Sequence, residues 1–151
     1  MVTGINCYVK FRQKNALKSI LDLSKIPNTG VDLYVYIIQA DAGTRTAALN
    51  AAALALADAG LTMKDLVSSV AVGKIGDKIC VDINKDEEDY EEGATDIPLA
   101  FTLRDERVVL LQLDGNVSKK DLIDALKLGK EACKKVFEVQ KKALKESFRG
   151  E

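Results

Sequence analysis

The spacing of apolar positions changes several times along the 151 residues, and each change marks an element. Residues 4–12 (GINCYVKFR) alternate weakly, as a short strand does, while 14–25 (KNALKSILDLSK) place Leu17, Ile20 and Leu21 on one helical face. Pro27, Asn28, Thr29 and Gly30 form a breaker and turn. The stretch VDLYVYIIQA (31–40) is β-branched and aromatic and reads as a strand. Leu33, Val35 and Ile37 fall on one face and Tyr34, Tyr36 and Ile38 on the other, so the pattern predicts a strand interior to a sheet. An alanine-rich helix is expected over 44–60, with Gly60 as its C′ residue, and a short helix over 62–69 behind Thr62. Two hairpins come next. The first joins 69–75 to 78–84 through Gly76 and Asp77, and the second joins 97–104 to 107–115 through Asp105 and Glu106. An acidic connection, 85–96, separates them, and Ser118 opens a last helix to about Lys145. Its expected buried stripe is Leu122, Ile123, Leu126, Val136, Phe137 and Leu144. Antiparallel strands covered by helices make the fold class α+β.

Composition narrows the chemistry. A formal net charge of −1 supplies no global field for nucleic acid, although a local site remains open. The chain holds no His, so acid–base work falls to carboxylates, Lys, Tyr or Cys. Cys7, Cys80 and Cys133 are odd in number, far apart and without a CxxC pair, which reads as reduced thiols of a cytoplasmic protein. No apolar run approaches the roughly 18 residues of a membrane span.

Three groups of residues could carry a function. Gly43, Thr44 and Arg45 stand at a helix N-terminus, where unpaired N–H groups and partial positive charge attract anions. Gly43 lets backbone approach an anion, Thr44 adds a hydroxyl donor and Arg45 a guanidinium; an ordinary helix cap fits the same residues. Seven carboxylates, Asp86, Glu87, Glu88, Asp89, Glu91, Glu92 and Asp96, crowd the connection before Ile97 and Pro98. Such a cluster either holds Mg2+ or Mn2+, supplies a general acid of raised pKa, or is simply a solvated loop. Asp96 differs because it sits at a strand start, where the sheet fixes it. The last helix carries nine lysines from Lys119 to Lys145, interleaved with Glu131, Glu138 and Glu146, which suits a solvated face better than an RNA track. Tyr8, Phe11 and Arg12 could stack a base, or belong to a core strand.

Taken in order, QADAGTR (39–45), the alanine-rich helix ending LADAG (56–60), MKDLV, AVGKI, VDIN, EED, an Asp before a Pro-containing strand, and LLQLDG form a specific series. From about Pro27 to Lys145 the chain resembles the RNase PH-like family, and in particular the catalytic subunits of the archaeal exosome. The resemblance implies an RNase PH-like (ribosomal-protein-like βαβ) fold, present here as a partial version with 1–26 as a remnant of the N-terminal half, 27–62 as the phosphate-loop strand and helix, and 63–151 as a C-terminal subdomain. It implies 3′-to-5′ phosphorolysis of RNA, with inorganic phosphate as co-substrate and nucleoside diphosphates as products. By position, Gly43, Thr44 and Arg45 match the family's phosphate loop, and Asp89 and Asp96 match its catalytic aspartates, which protonate the departing 3′ oxygen or hold a Mg2+ or Mn2+ ion that assists it. The span between the two aspartates is one residue longer than the family pattern, and another extra residue precedes Asp89, so Asp86 and Glu88 compete for that position.

The implied partners are the RNA 3′ end, a non-catalytic RNase PH-like paralogue in a hexameric ring and RNA-binding cap subunits, with no membrane. The family chain is longer on its N-terminal side, where a first sheet and a pair of arginines contact phosphate and RNA. Either a separate polypeptide supplies that half or the chain is a reduced relative. The alternative function is therefore a non-catalytic structural subunit of the ring. A stand-alone phosphate-binding module is a third reading, and uncovered sheet edges argue against it.

Overall fold

The structure is a computed structural model describing residues 4–7, 11–91 and 93–148, with side chains from residue 13 onward. Strand β1 (Gly4–Cys7) leads to helix α1 (Phe11–Ile20), a 3-10 turn at Leu23–Lys25 and strand β2 (Gly30–Leu33). β1 and β2 pair in parallel, Gly4 opposite Gly30 and Cys7 opposite Leu33, with α1 as the crossover. Helix α2 (Thr44–Asp58) precedes β3 (Val67–Ile75), β4 (Lys78–Val81), a single turn α3 (Lys85–Glu88), β5 (Ala94–Thr102), β6 (Val108–Leu111) and the 29-residue α4 (Lys119–Ser147). The last four strands form one antiparallel sheet in the order β4-β3-β5-β6.

Both faces of that sheet are covered, which makes three layers. Leu17 and Ile20 of α1 and Leu49, Ala52, Ala53 and Leu56 of α2 pack with Val67, Ala100 and Leu110 on one face. Val70, Val72, Ile97, Leu99 and Phe101 meet Ala125 and Cys133 of α4 on the other. Gln140 ties the layers through polar contacts: it accepts from the Ser68 hydroxyl at 2.7 Å and donates to the Val67 carbonyl at 3.0 Å. Burial pushes the Cys133 thiol up to about 12, as expected for an inert core cysteine.

Several expectations change. The first strand is described over Gly4–Cys7, with 8–10 of the expected strand outside the described residues, and Phe11 already begins α1, which ends at Ile20 instead of 25. The expected strand over 31–40 extends only to Leu33, because the described residues offer its backbone no partner beyond Cys7; Tyr36 and Ile38 are 84% and 99% exposed, not interior. No helix forms over 62–69. There the Thr62 carbonyl accepts from Asp22 N at 2.9 Å and Lys64 N donates to the Ile20 carbonyl at 2.7 Å, the Asp65 carboxylate receives the Leu66 and Arg104 amides, and Val67–Ser69 already pair with β5, so the segment is tied to the end of α1 and to the sheet. The acidic connection is not a plain loop, since Asn84 and Glu87 close a capping box around α3. In α4, Leu122, Leu126 and Val136 of the expected stripe do pack, partly buried, against the core, but the fully buried residues are the small Ala125, Gly129 and Cys133 with Gln140, and Ile123 is 43% exposed. Close packing selects small side chains there, which a search for large apolar ones overlooks.

The remaining elements obey their local signals. Ser118 caps α4 by accepting from Asp121 N, and Gly60 leaves α2 in a left-handed conformation at φ +74°. The hairpin at Gly76 and Asp77 has the expected two-residue turn, with Ile75 opposite Lys78.

Candidate active site

The loop before α2 turns twice through positive φ, at Ala42 (+59°) and Gly43 (+60°), and Gly43 is the N-cap of the helix. No side chain caps this end. Thr46 and Ala47 direct their N–H groups onto the Gly43 carbonyl, both at 3.1 Å, and the Thr46 hydroxyl donates to it at 2.8 Å. The N–H groups of Thr44 and Arg45 are therefore those left at the helix mouth for an anion. Thr44 is the first helical residue and not a cap.

Two contacts fix this loop against the acidic connection. Asp41 accepts from Lys85 N at 2.9 Å, which fastens the start of α3 to the loop. Arg45 reaches across to Asp96, and a guanidinium nitrogen donates to one carboxylate oxygen. Behind Arg45, the buried Gln13 of α1 donates to the Arg45 carbonyl at 3.3 Å.

Asp96 is the third residue of β5 and only 7% exposed. Its N–H and carbonyl both pair with Asp114 at 2.9 Å, in a bridge that extends the β5–β6 ladder past Leu111. Burial raises the Asp96 pKa, Arg45 lowers it, and the charges of Glu88 and Asp114 raise it again; the net shift is upward. A cleft of about 360 Å³ opens beside it, lined by Lys85, Glu88, Asp89, Asp96, Asp114 and Gly115. Asp89 lies on the outer wall, 61% exposed at its side chain, with Lys85 Nζ at 2.6 Å. Glu88 lines the cleft as well, whereas Asp86 does not. A larger depression, about 550 Å³ between α2, β3 and α4, includes Gly43 but neither Arg45 nor Asp96, and is mostly apolar.

The fold thus gathers Gly43, Thr44, Arg45, Asp89 and Asp96 around one helix mouth and cleft. Asp114 and Lys85 join them, and sequence reasoning assigned neither a role. Asp114 stood in LLQLDG with only strand register to bring it opposite Asp96, and Lys85 was only the first residue of the acidic connection. Asp89 and Asp96 have Lys85 and Arg45 as counter-ions, and among the described residues no three His, Cys, Asp or Glu side chains gather to hold a metal ion. Mg2+ commonly takes only one or two carboxylates together with substrate phosphates, and Glu88, Asp89, Asp96 and Asp114 of the cleft are the residues that would hold such an ion. Five of the nine lysines of α4 form ion pairs, as Lys134 does with Glu131 at 2.7 Å. The base-stacking reading of Tyr8, Phe11 and Arg12 lies outside the described side chains. No described helix is long and apolar enough to cross a membrane.

Known proteins resemble this chain in sequence and in fold. The model of the 3′ exoribonuclease family, domain 1, matches residues 11–62, and that of domain 2 matches 65–132. The exosome complex component Rrp41 of Thermococcus gammatolerans is 45% identical over 135 residues, covering 89% of this chain and 53% of that one. Rrp41 of Nitrosopumilus maritimus is 42% identical over 137 residues, covering 91% of this chain and 55% of that one. The chain thus spans about half the length of these relatives. The crystal structure of rice Rrp46 superposes with a TM-score of 0.86 at 22% identity, covering 94% of this chain and 73% of that one, a likeness of fold. With the two family models together matching most of its length, the chain belongs to the 3′ exoribonuclease (RNase PH) family.

Proposed function

We propose that this chain is a 3′-to-5′ phosphorolytic exoribonuclease subunit of an exosome-type ring, with another polypeptide completing its site. The observation that carries the reading is the pairing of Arg45, at an uncapped helix mouth, with Asp96, a buried carboxyl of raised pKa. Inorganic phosphate is held by the N–H groups of Thr44 and Arg45, by the Thr44 hydroxyl and by the Arg45 guanidinium. One of its oxygens attacks the phosphorus of the terminal phosphodiester, and the bond to the 3′ oxygen of the preceding nucleotide breaks. Asp96 gives that oxygen a proton, so the products are a nucleoside 5′-diphosphate and an RNA one nucleotide shorter. Asp89 is the second carboxylate of the same cleft.

The ion pair gives the site a built-in coupling. Arg45 lowers the Asp96 pKa in the ligand-free chain. Phosphate competes for that guanidinium, and each contact it takes from Asp96 favours the protonated carboxyl. Anion binding and arming of the acid thereby go together.

The test is release of nucleoside diphosphates from a 3′-labelled RNA by the chain assembled with its ring partners, with and without phosphate. Asp96→Asn should lower kcat by about 10²- to 10⁴-fold, the range of a lost general acid. Arg45→Ala should raise KM for phosphate as well as lower kcat. Turnover that ignores phosphate, or survives Asp96→Asn, rejects these roles. An assembled ring with no turnover at all supports the structural-subunit alternative, which the cationic neighbours of both aspartates also fit.

A further inference from the structure

Asp41 lies two residues before Gly43, the N-cap of α2, and is the nearest carboxylate in sequence to the free N–H groups of Thr44 and Arg45. A carboxylate beside a helix N-terminus ordinarily settles on such donors, and here it would fill the place of an anion. This one does not. No side chain caps α2, and Asp41 instead accepts from Lys85 N at 2.9 Å, across 44 residues of chain. The left-handed turn at Ala42 and Gly43 separates the carboxylate from the mouth it precedes.

Lys85 is the first residue of α3, a single turn with no buried residue. One turn of helix is not stable by itself, and no apolar side chain anchors this one. Its capping box, Asn84 with Glu87, closes within the turn and leaves the Lys85 N–H over. Among the described residues, the bond from Lys85 N to Asp41 is the one hydrogen bond that ties Lys85–Glu88 to a distant part of the chain. Lys85 then passes the constraint on. Its Nζ lies 2.6 Å from Asp89 Oδ1 and 3.7 Å from Glu88 Oε2, and all three residues line the cleft beside Asp96.

We propose that Asp41 is a positioning residue: by holding the Lys85 amide it fixes α3, and with it Glu88 and Asp89, beside the helix mouth and Asp96. The proposal rests on the reading that mouth and cleft form one phosphorolytic site, and it names the bond that keeps the two in register. The phosphate donors are set by other contacts, since Thr46 and Ala47 fasten the first turn of α2 to the Gly43 carbonyl. Loss of the Asp41 carboxylate should therefore leave the seat of the phosphate in place and let the carboxylates of α3 drift from the cleft. Arg45 binds; Asp41 aligns.

The first measurement is hydrogen exchange on the full 151-residue chain without RNA or phosphate. Asp41 is exposed, so its variants leave the fold intact. In Asp41→Ala the Glu88 and Asp89 amides, which donate to the Asn84 and Lys85 carbonyls, should exchange about tenfold faster. Asp41→Asn keeps a side-chain oxygen as acceptor and should restore slow exchange. Lys85→Pro deletes the N–H at the first helical position, where proline is tolerated, so adding Asp41→Ala to it should change nothing further. The second measurement is phosphorolysis by the assembled ring. Asp41→Ala should lower kcat at least about tenfold with KM for phosphate within about twofold, and Asp41→Asn should recover most of kcat. Unchanged exchange in Asp41→Ala overturns the proposal. So does an active ring whose kcat is unaffected, or whose phosphate KM rises along with the loss. A ring without turnover strikes the phosphorolytic reading alone, and faster exchange in Asp41→Ala, restored by Asp41→Asn, still upholds Asp41 as the residue that places α3.

Discussion

Burial opposes ionisation of Asp96, Arg45 favours it, and Glu88 and Asp114 oppose it again, so the carboxyl holds its proton more tightly in the folded chain than at its ordinary value of 3.8. That direction fixes the sign of the linkage. A group whose folded pKa is raised stabilises the fold fully below its unfolded pKa, and that contribution is lost as pH rises through the folded value. Asn at this position cannot ionise and escapes the loss. The melting temperature of Asp96→Asn minus that of the unmodified chain should therefore increase as pH rises from below 3.8 through the raised value. Parallel thermal scans at a series of pH values measure it. A difference that falls with pH would mean that the Arg45 contact outweighs burial, which would weaken the case for Asp96 as an acid. At this scale QADAGTR and the Asp before Ile97 were readable, because each is a local string with its own chemistry. Asp114 was not, since its meeting with Asp96 is a matter of strand register across 18 residues of chain.

Helix α4 packs through Leu122, Leu126 and Val136, as its pattern suggested, and also through small residues that the pattern does not mark. A Cβ placed on Gly129 would lie 2.5 Å from Leu99 Cδ1 and 3.1 Å from Val72 Cγ2, so the glycine sets how closely the helix meets the sheet. Gly129→Ala gains about 1 kcal/mol of helix propensity but overpacks a buried contact, which typically costs about 1–3 kcal/mol. The expected net effect is destabilisation by up to about 2 kcal/mol, seen as a lower urea midpoint with unchanged slope. A higher midpoint would show that Leu99 can turn aside freely and that the close approach is dispensable. The same competition between local signal and tertiary demand explains the other elements. The hairpin at Gly76 and the Ser118 cap of α4 were legible because turn and cap chemistry are local. The supposed helix over 62–69 was not, because its backbone groups are claimed by the end of α1 and by pairing with β5. The strand over 31–40 has the right residues and lacks only a partner beyond Leu33, which no reading of propensity supplies.

On the scale of the whole molecule, the sheet β4-β3-β5-β6 is covered on both faces, while the outer side of α2 and residues 35–38 are not. Those two regions differ in their contribution to the free chain. The covered sheet holds the fold together, whereas Tyr36 and Ile38, at 84% and 99% exposure, add almost nothing to its stability. They do add a hazard, because an open apolar strand edge recruits other edges. Replacing both by lysine should leave the stability of the isolated chain within about 0.5 kcal/mol, as exposed substitutions usually do, while sharply reducing its tendency to aggregate. Urea unfolding and light scattering at matched concentrations measure the two effects separately. Stability that falls well beyond that range would mean that the side chains belong to the core of the free chain. Equal scattering by the variant and the unmodified chain would place the association surface elsewhere. An unchanged fold with an altered surface is the pattern expected of a segment whose strand-like composition serves contacts outside the three layers of the fold.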